Sequence, residues 1–500
     1  MSSKRLTSAS RTRSLRLSAA ATAAVLLPLG ATITATAATA APAPAAHDDF
    51  NHDGYPDLVV SAPGGTVSAQ KGAGYVAVLY GSASGISTSR RATFSLSTPG
   101  VPGVAQAGDG FGRTTASGDL DGDGYADLVV GAPGKDIGTA ADAGAAVVLW
   151  GSATGLRSDG ALWLRDSSPV PGDRFGTGLA TGRFRGTGTG TELGVLHKKD
   201  LRTYSFDATG RDRHASAAAP VPWHWDQDFT PAGLTSSDYN KDGADDLVLL
   251  GTFTEYEGYY PAETHGSASY LPGGPQGLSY GHYVPGGPTG ASGDINKDGY
   301  ADLVMGSPAD RDDLSGALLD GGSIDVVLGG PDGPGAPGSA SHRRWTQDSP
   351  GVPGTDFVGD RFGGAVSVGD VNGDGYADAA IGAPGNNVRT NDAGTVWIMR
   401  GSATGLTSNG SKTISQDLSS VPGTAEKADR FGGAVRLIDT NTNGKAELIA
   451  SAPGEDSYDG ADWIFTGTSN GLTTTGSWSF NGARIRAPYV DALFGATLAP

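Results

Sequence analysis

The sequence of 500 residues contains no cysteine, which excludes disulfide bonds and thiolate metal sites. Basic residues are also scarce: 35 Lys and Arg stand against 53 Asp and Glu, and the formal net charge is −18. This excess of negative charge disfavours nucleic acid and anionic membranes as partners and favours bound cations. Glycine, in contrast, is abundant at 80 residues, and without a collagen period such a surplus indicates many turns.

Long apolar runs are scarce as well, and the most apolar one lies at the N-terminus. Residues 1–40 begin with a basic region, continue with an Ala/Val/Leu core and end in small residues. This order is typical of a secretory signal peptide, and a retained membrane anchor is disfavoured because the core is short and contains Pro28. We therefore expect a secreted protein with a signal peptide at 1–40 and a short linker at 41–48. Removing the five basic residues of the signal takes the net charge to −23 (−18 − 5), and the mature chain is not expected to insert into membranes.

One motif recurs along the whole chain. Acidic loops of the form D-x-[DN]-x-[DN]-G-x-x-[DE] start at residues 49, 119, 238, 294, 370 and 439. A Phe-Gly pair stands eight residues before three of them, at Phe111, Phe362 and Phe431. The same offset from Phe175 places a seventh loop at residue 183, where the glycines and the following apolar run remain but the carboxylates are missing. The chain therefore consists of seven repeated units.

Each unit contains four segments that are typical of strands. A Phe-Gly segment leads into the acidic loop, and a DLVV-type run, a second apolar run and a more polar segment follow. Short apolar runs bounded by Gly and Pro favour strands over helices. Four strands repeated seven times predict an all-β fold, a seven-bladed β-propeller over residues 49–500. Unit one lacks its Phe-Gly strand, so we expect the leftover C-terminal strand at 494–498 to complete the first blade and close the ring.

The Phe-Gly strand, the acidic loop and the Gly-Ala-Pro that follows resemble FG-GAP repeats, as found in the N-terminal propeller of integrin α chains. The resemblance extends over residues 47–500, although not every unit keeps the Phe-Gly pair. It implies loops that bind calcium and a propeller that serves as a recognition platform, with the ligand on the face opposite the loops. The richness in Ala and Gly further favours a bacterial source.

The acidic loops carry the ligands that calcium prefers, which are six to eight oxygen atoms in a flexible arrangement. Side-chain oxygens stand at loop positions 1, 3, 5 and 9, a backbone carbonyl is available at position 7, and a glycine at position 6 permits a sharp turn. The predicted ligands of the five intact loops are Asp49, Asn51, Asp53, Tyr55 and Asp57; Asp119, Asp121, Asp123, Tyr125 and Asp127; Asp238, Asn240, Asp242, Ala244 and Asp246; Asp294, Asn296, Asp298, Tyr300 and Asp302; and Asp370, Asn372, Asp374, Tyr376 and Asp378. A sixth, weaker site is expected at Asp439, Asn441, Asn443 and Glu447.

These loops are not EF-hands, because position 12 is apolar where an EF-hand has a bidentate Glu, as at Val130 in loop two. The alternative is a solvated acidic turn without metal. However, 18 of the 53 acidic residues occupy the ligand positions, and without a cation such close carboxylates repel one another. In loop three, Arg183 and Arg185 occupy positions 1 and 3. Their guanidinium groups either replace the charge of the ion or belong to an ordinary loop.

Aromatic residues are concentrated in unit four, in connections expected on the face opposite the acidic loops. Flat aromatic rings beside carboxylates suit sugar rings, but aromatic residues also pack beneath long insertions. The candidate ligand-binding residues are Trp223, His224, Trp225, Glu255, Tyr256, Tyr259 and Tyr260. The acidic segment at 309–322 is a second candidate, either as a partner contact or as a solvated insertion.

The sequence contains no recognisable catalytic constellation. Residues 467–471 match the G-x-S-x-G nucleophile motif, but they occupy the position of a recurring turn, which reads GSATG at 151–155. We therefore expect a monomeric, secreted, calcium-binding scaffold for adhesion to, or binding of, an extracellular glycan or protein. The alternative is an extracellular glycosidase or polysaccharide lyase built on a propeller, with Glu255 or Glu257 acting together with His224.

Overall fold

A computed structural model describes residues 47–188, 190–198, 200–207, 214–221, 229–255, 263–308, 321–337 and 341–499; of His214, Glu255 and Glu263 it describes the backbone alone. The described residues all belong to one compact unit. Among them, no helix is both long and apolar enough to cross a membrane.

The strands form seven separate antiparallel sheets, one for each repeated unit. The first three blades contain β1 (Leu58–Ala62), β2 (Tyr75–Leu79) and β3 (Arg91–Phe94); β4 (Thr114–Gly118), β5 (Asp127–Ala132), β6 (Ala145–Trp150) and β7 (Arg157–Leu164); and β8 (Gly178–Gly182), β9 (Glu192–His197), β10 (Asp200–Asp207) and β11 (His214–Ala217). Blade four contains β12 (Phe229–Ser237), β13 (Asp246–Glu255), β14 (Glu263–Leu271) and β15 (His282–Pro285).

The last three blades repeat the same order of strands. They contain β16 (Thr289–Gly293), β17 (Asp302–Ser307), β18 (Ser323–Val327) and β19 (His342–Trp345); β20 (Ala365–Gly369), β21 (Asp378–Ala383), β22 (Thr395–Arg400) and β23 (Thr407–Ile414); and β24 (Val435–Ile438), β25 (Glu447–Ala452), β26 (Ala461–Thr466) and β27 (Thr473–Asn481). A four-residue helical turn, α1 (Glu455–Tyr458), connects β25 to β26.

The C-terminus completes blade one, whose own strands number three. Leu498 pairs with Val60 of β1 in an antiparallel bridge. The Ser61 N–H donates to the Thr497 carbonyl at 3.0 Å, and the Gly495 N–H donates to the Ser61 carbonyl at 2.9 Å. The ring is therefore closed by the C-terminal segment, which pairs through one isolated bridge rather than through a regular strand at 494–498, and the prediction of a seven-bladed propeller is confirmed.

Each blade buries its two middle strands and packs against its neighbours. β5 and β6, for example, are buried at every position, whereas β7 at the outer edge is largely exposed. The Phe-Gly phenylalanines Phe111, Phe175, Phe362, Phe431 and Phe494 are all fully buried. These aromatic side chains anchor one blade to the next, and the short apolar runs of the sequence become the buried middle strands.

A glycine before the third strand lets neighbouring blades approach closely. Gly394 has a φ of +86°, and a Cβ there would lie 2.2 Å from the Phe431 carbonyl oxygen of the next blade. The Phe431 N–H donates to the Ala393 carbonyl at 2.8 Å across this junction. A side chain at Gly394 would therefore both strain the backbone and separate the blades.

The first strands of the blades surround a central channel with a volume of about 570 Å³. Its lining is made mainly of small and hydroxyl-bearing residues, such as Ser117, Thr181 and Ser292. Arg436 also lines it, and its guanidinium pairs with the buried Asp48 carboxylate at 2.7 Å. The axis of the propeller is thus polar, and the apolar core lies within and between the blades.

Candidate functional site

Strand order divides the loops between two faces of the propeller. The loops between first and second strands and between third and fourth strands share one face, which we call the acidic face. The connections between second and third strands, and from each fourth strand to the next blade, share the opposite face. All predicted calcium ligands therefore belong to the acidic face.

Loop two shows how the carboxylates converge. Oxygen atoms of Asp119, Asp121 and Asp127 lie within 4.8 Å of one another, and all three residues are buried. The two oxygens of Asp119 accept hydrogen bonds from the Asp123 and Gly124 N–H groups, each at 3.0 Å. The φ of +92° at Gly124 makes this tight return possible. The structure thus gathers four predicted ligand residues in one small loop.

The other five acidic loops repeat this geometry. In each, the position 6 N–H donates to the position 1 carboxylate at 2.7–3.0 Å. The position 7 N–H donates to the position 5 side chain at 2.9–3.2 Å. The loops therefore share one backbone trace. In loops four, five and six, the position 3 Asn amide also donates to the position 5 carboxylate, at 2.8–3.2 Å.

The acid at position 9 ties its loop to the neighbouring turn of the same blade. One oxygen of Asp127 accepts the Leu120 N–H at 2.9 Å, and the other accepts the Gly151 N–H at 2.8 Å. In blade one, Asp57 contacts Phe50 and Gly81 in the same manner. The loop motif does not by itself predict that the position 9 acid also binds the turn. The spacing of 24 residues from the acid to the glycine, the same in both blades, is the signal in the sequence that could have revealed this contact.

Burial makes these position 9 carboxylates costly to ionise unless a cation is near. It raises the pKa of Asp57 to about 8, with backbone hydrogen bonds opposing the shift, and those of Asp246, Asp302 and Asp378 to about 6. The pKa of Asp127 is raised well above its usual value, first by burial and then by Asp121. A divalent cation among these oxygens would remove the repulsion, so the residues present fit a metal ion.

Loop seven differs in the surroundings of its position 9 acid. Glu447 accepts hydrogen bonds from the Thr440 hydroxyl and from the Asn441 side-chain amide, each at 2.8 Å. These neutral donors already occupy part of the carboxylate, and the Asn441 amide nitrogen faces it. Weaker binding at this loop stays a prediction, and both features give it a physical reason.

Loop three contains a cation of its own. The Arg185 guanidinium pairs with the Glu192 carboxylate, and the Arg185 N–H donates to the same carboxylate at 3.2 Å. Glu192 begins β9 as Asp127 begins β5, so it stands at the place of the position 9 acid after a one-residue insertion. Of the two alternatives for this loop, Arg185 thus fits the replacement of the ion's charge. Arg183 contributes backbone contacts to blade four, where its N–H donates to Asp245.

Neighbouring acidic loops are linked around the ring. The position 1 carbonyl of one loop accepts the position 8 N–H of the next, as between Asp294 and Ala377 at 3.0 Å and between Asp370 and Ala446 at 2.7 Å. Lys297 of loop five also reaches loop six, where its ammonium lies 5.4 Å from the centre of the Tyr376 ring. Order in one loop is therefore coupled to the position of the next blade.

The candidate ligand residues of unit four lie outside what the structure describes in atomic detail. Glu255 is the last residue of β13 and pairs with Glu263 of β14, but its side chain is not described. Residues 309–320 of the acidic segment are outside the described chain as well. The remaining predicted residues outside it are Trp223, His224, Trp225, Tyr256, Glu257, Tyr259 and Tyr260.

Exposed apolar side chains are concentrated on the opposite face. Of nine large exposed hydrophobic residues in the described chain, eight lie in the connections of that face. They are Val104, Val170, Phe357, Val358, Leu418, Tyr458, Tyr489 and Val490. The ninth, Tyr283, lies on the outer strand β15. The acidic face has none among the described residues, so the two faces differ in chemistry.

Comparison with known proteins identifies the repeat. The FG-GAP repeat model matches residues 44–79, 111–149, 286–323 and 362–399. Integrin alpha-PS2 of Drosophila melanogaster is 34% identical over 136 residues, which are 25% of this chain and 8% of that protein. Integrin alpha-V of Gallus gallus is 28% identical over 277 residues, 52% of this chain and 23% of that protein. This chain therefore spans less than a quarter of the length of either integrin chain.

A solved structure of a Lactobacillus plantarum protein aligns with a TM-score of 0.41 at 11% identity, covering 88% of this chain and 98% of that one. The repeats themselves carry the assignment, because the matched segments contain the acidic loops and the buried second strands of blades one, two, five and six, and in blades two and six also the Phe-Gly pairs at Phe111 and Phe362. This chain contains FG-GAP repeats and forms a seven-bladed, integrin-α-like propeller.

Proposed function

We propose that this protein is a secreted, calcium-stabilised scaffold that binds an extracellular glycan or protein through its opposite face. The observation that carries the proposal is the separation of the two faces. One face holds carboxylates whose buried geometry fits cations, and the other holds eight of the nine large exposed hydrophobic residues of the described chain. Exposed apolar residues gathered on one surface are typical of interaction sites.

Calcium is the ion that the acidic loops fit best, because their ligands are all oxygen atoms in a flexible loop. In loop two, the Asp119, Asp121, Asp123 and Asp127 side chains would hold it, with the Tyr125 carbonyl as a further ligand. Six such ions would bring the charge of the chain without its signal from −23 to −11 (−23 + 12). The ion would compensate the negative charge of its loop. Because hydrogen bonds join neighbouring loops, a loop ordered by an ion would also hold the adjacent blade in place.

The calcium part of the proposal is tested by counting bound ions and by unfolding. We expect a chelator to lower the melting temperature of the full protein, and Asp119→Asn to remove one equivalent of bound calcium in titration calorimetry. Arg183→Ala, in the loop without carboxylate ligands, is the matched control and should leave the stoichiometry unchanged. Equal melting temperatures with and without chelator would contradict a stabilising role for calcium.

The binding part is tested with a glycan array and a panel of purified extracellular proteins, probed with the calcium-loaded protein. A double variant, Phe357→Ser with Val358→Ser, alters the opposite face where the side chains are 59% and 79% exposed. It should reduce binding at least tenfold. Tyr283→Ser, at an exposed tyrosine on the outer strand of blade four, serves as the control.

Three outcomes would count against this part of the proposal. Binding that survives in the double variant, or that is lost equally with Tyr283→Ser, would separate the ligand site from Phe357 and Val358. Release of products from a polysaccharide panel would favour the carbohydrate-active enzyme instead. Secretion and monomeric state are tested by the N-terminal sequence of protein recovered from the medium, expected to begin near residue 41, and by light scattering.

A further inference from the structure

A recurring aspartate on the opposite face has different partners in different blades. Two residues before four of the five Phe-Gly pairs stands an aspartate on the opposite face: Asp109, Asp173, Asp360 and Asp429. In blade two, Lys135 neutralises Asp109 at 3.3 Å. In blade six, the Asn386 and Gln347 amides donate to Asp360 at 2.9 and 3.0 Å. At these two places the aspartate therefore has a cation or two neutral donors as partners.

Asp173 of blade three has different neighbours. Asp166 stands two residues after the end of β7, where Gln347 stands two residues after the end of β19, so a carboxylate replaces the amide donor. His197 ends β9 at the place that Ala62, Ala132, Ala383 and Ala452 occupy in four other blades. Ligand atoms of Asp166, Asp173 and His197 lie within 4.8 Å of one another.

The Nε2 atom of His197 lacks a hydrogen-bond partner in the described part of the chain. The residue is only 4% exposed, and this atom is buried. The ring packs against Phe175, with 5.5 Å between centroids, which fixes its plane. Burial lowers the pKa of His197.

The charge of the cluster also calls for a cation. Among the described residues, the Lys198 ammonium lies 3.8 Å from Asp173 and is 54% exposed, so solvent screens the pair. The Arg202 guanidinium also acts on His197, but it is paired with the Asp200 carboxylate at 3.6 Å. The two carboxylates carry more negative charge than the single Lys198 ammonium compensates. A buried nitrogen without a partner and two carboxylates at one point are together a ligand set.

We propose that Asp166, Asp173 and His197 form a site for a divalent transition-metal ion of the Zn²⁺ or Mn²⁺ class, on the face opposite the acidic loops. Imidazole nitrogen suits such ions, whereas calcium and magnesium take oxygen ligands. Ligand atoms around a tetrahedral zinc ion lie about 3.4 Å apart, so small rotations of the two aspartates close the site from its present spacing. Three protein ligands leave a fourth position for water or for a donor group of a partner.

The test is titration of Zn²⁺ into the full protein while millimolar calcium keeps the acidic loops saturated. We expect one equivalent of zinc to bind to the wild type. Asp166→Gln and His197→Ala should each weaken binding at least tenfold, as expected for loss of a ligand. Both substitutions place residue types that equivalent positions of other blades already hold, so the variants are expected to fold, and near-UV circular dichroism checks this.

His342→Ala is the matched control, because His342 also lies beside a carboxylate, with Nε2 2.6 Å from Asp325. It should leave zinc binding unchanged. A second readout is thermal: zinc should raise the melting temperature of the wild type and of His342→Ala but not that of His197→Ala. Absence of zinc binding to the wild type, or equal binding by folded His197→Ala, would overturn the proposal.

Discussion

Replacing one buried aspartate is expected to stabilise this protein. Asp462 lies in β26, is fully buried, and neither of its carboxyl oxygens has a hydrogen-bond partner among the described residues. Burial alone raises its pKa well above the ordinary value of 3.8. At the same register position, β2 has Val76 and β22 has Val396, both fully buried. The fold therefore accommodates valine at this place.

The size of the effect has two parts. Removing a buried polar group that lacks partners should raise the free energy of unfolding by about 2 kcal/mol. The second part depends on pH. Because the folded carboxyl has the higher pKa, the folded protein holds the extra proton between pH 3.8 and the folded pKa. As the pH rises through that range, this group lowers the free energy of unfolding of the wild type by up to about 1.4 kcal/mol per pH unit. The Asp462→Val variant lacks the group and does not show this decrease.

Urea unfolding in saturating calcium, at pH 4.5 and pH 7.5, measures both parts. Asp462→Val should be more stable than the wild type at both pH values, with the larger gain at pH 7.5. Asp325→Val is the contrasting variant, because hydrogen bonds from His342 and Arg344 outweigh burial and lower the pKa of Asp325. It should destabilise. A less stable Asp462→Val, or a gain that does not change with pH, would refute the reasoning.

Three further results are expected. Glu192→Gln breaks the ion pair of loop three and should cost about 2 kcal/mol in urea unfolding, equally with calcium and with chelator; a calcium-dependent loss would contradict the charge replacement. Gly394→Ala should destabilise more than Gly359→Ala, because both have left-handed φ but the methyl at Gly359 meets no described atom within 4 Å; equal losses would point to backbone strain alone. Deleting residues 494–500 should yield oligomers in light scattering, because it opens the edge of β1; a stable monomer would argue against closure by this strand.

The sequence predicts the architecture well because the same pattern of apolar runs and turns recurs in the repeated units. Each short apolar run between turns is a fully buried strand, and the leftover Phe494-Gly495 pair marks the strand that completes blade one. The same regularity predicts the ligand positions of the acidic loops, because one backbone trace recurs in six blades. Loop three is the exception. A one-residue insertion places its acid at residue 192, whereas the spacing of the other loops predicts it at residue 191.

Contacts between individual side chains are harder to foresee. The pairing of Arg185 with Glu192, the buried isolation of Asp462 and the cluster around His197 all depend on which residues face each other across loops and sheets. A repeat reveals such positions only when its copies are superimposed on known strand ends. His197 then differs from the alanine at the equivalent strand end of four other blades, because an imidazole needs a polar partner when buried and a methyl group does not.

The bridge between Val60 and Leu498 also determines when blade one can be completed during synthesis. Val60 lies 438 residues before its partner Leu498 (498 − 60), and at typical synthesis rates of about 5–20 residues per second this separation amounts to roughly 20–90 s. During that interval blade one, the first to be made, keeps an unpaired strand edge beside a growing chain. The net charge of the chain is −18, and we expect the repulsion between acidic copies to keep nascent chains apart while this edge is unpaired.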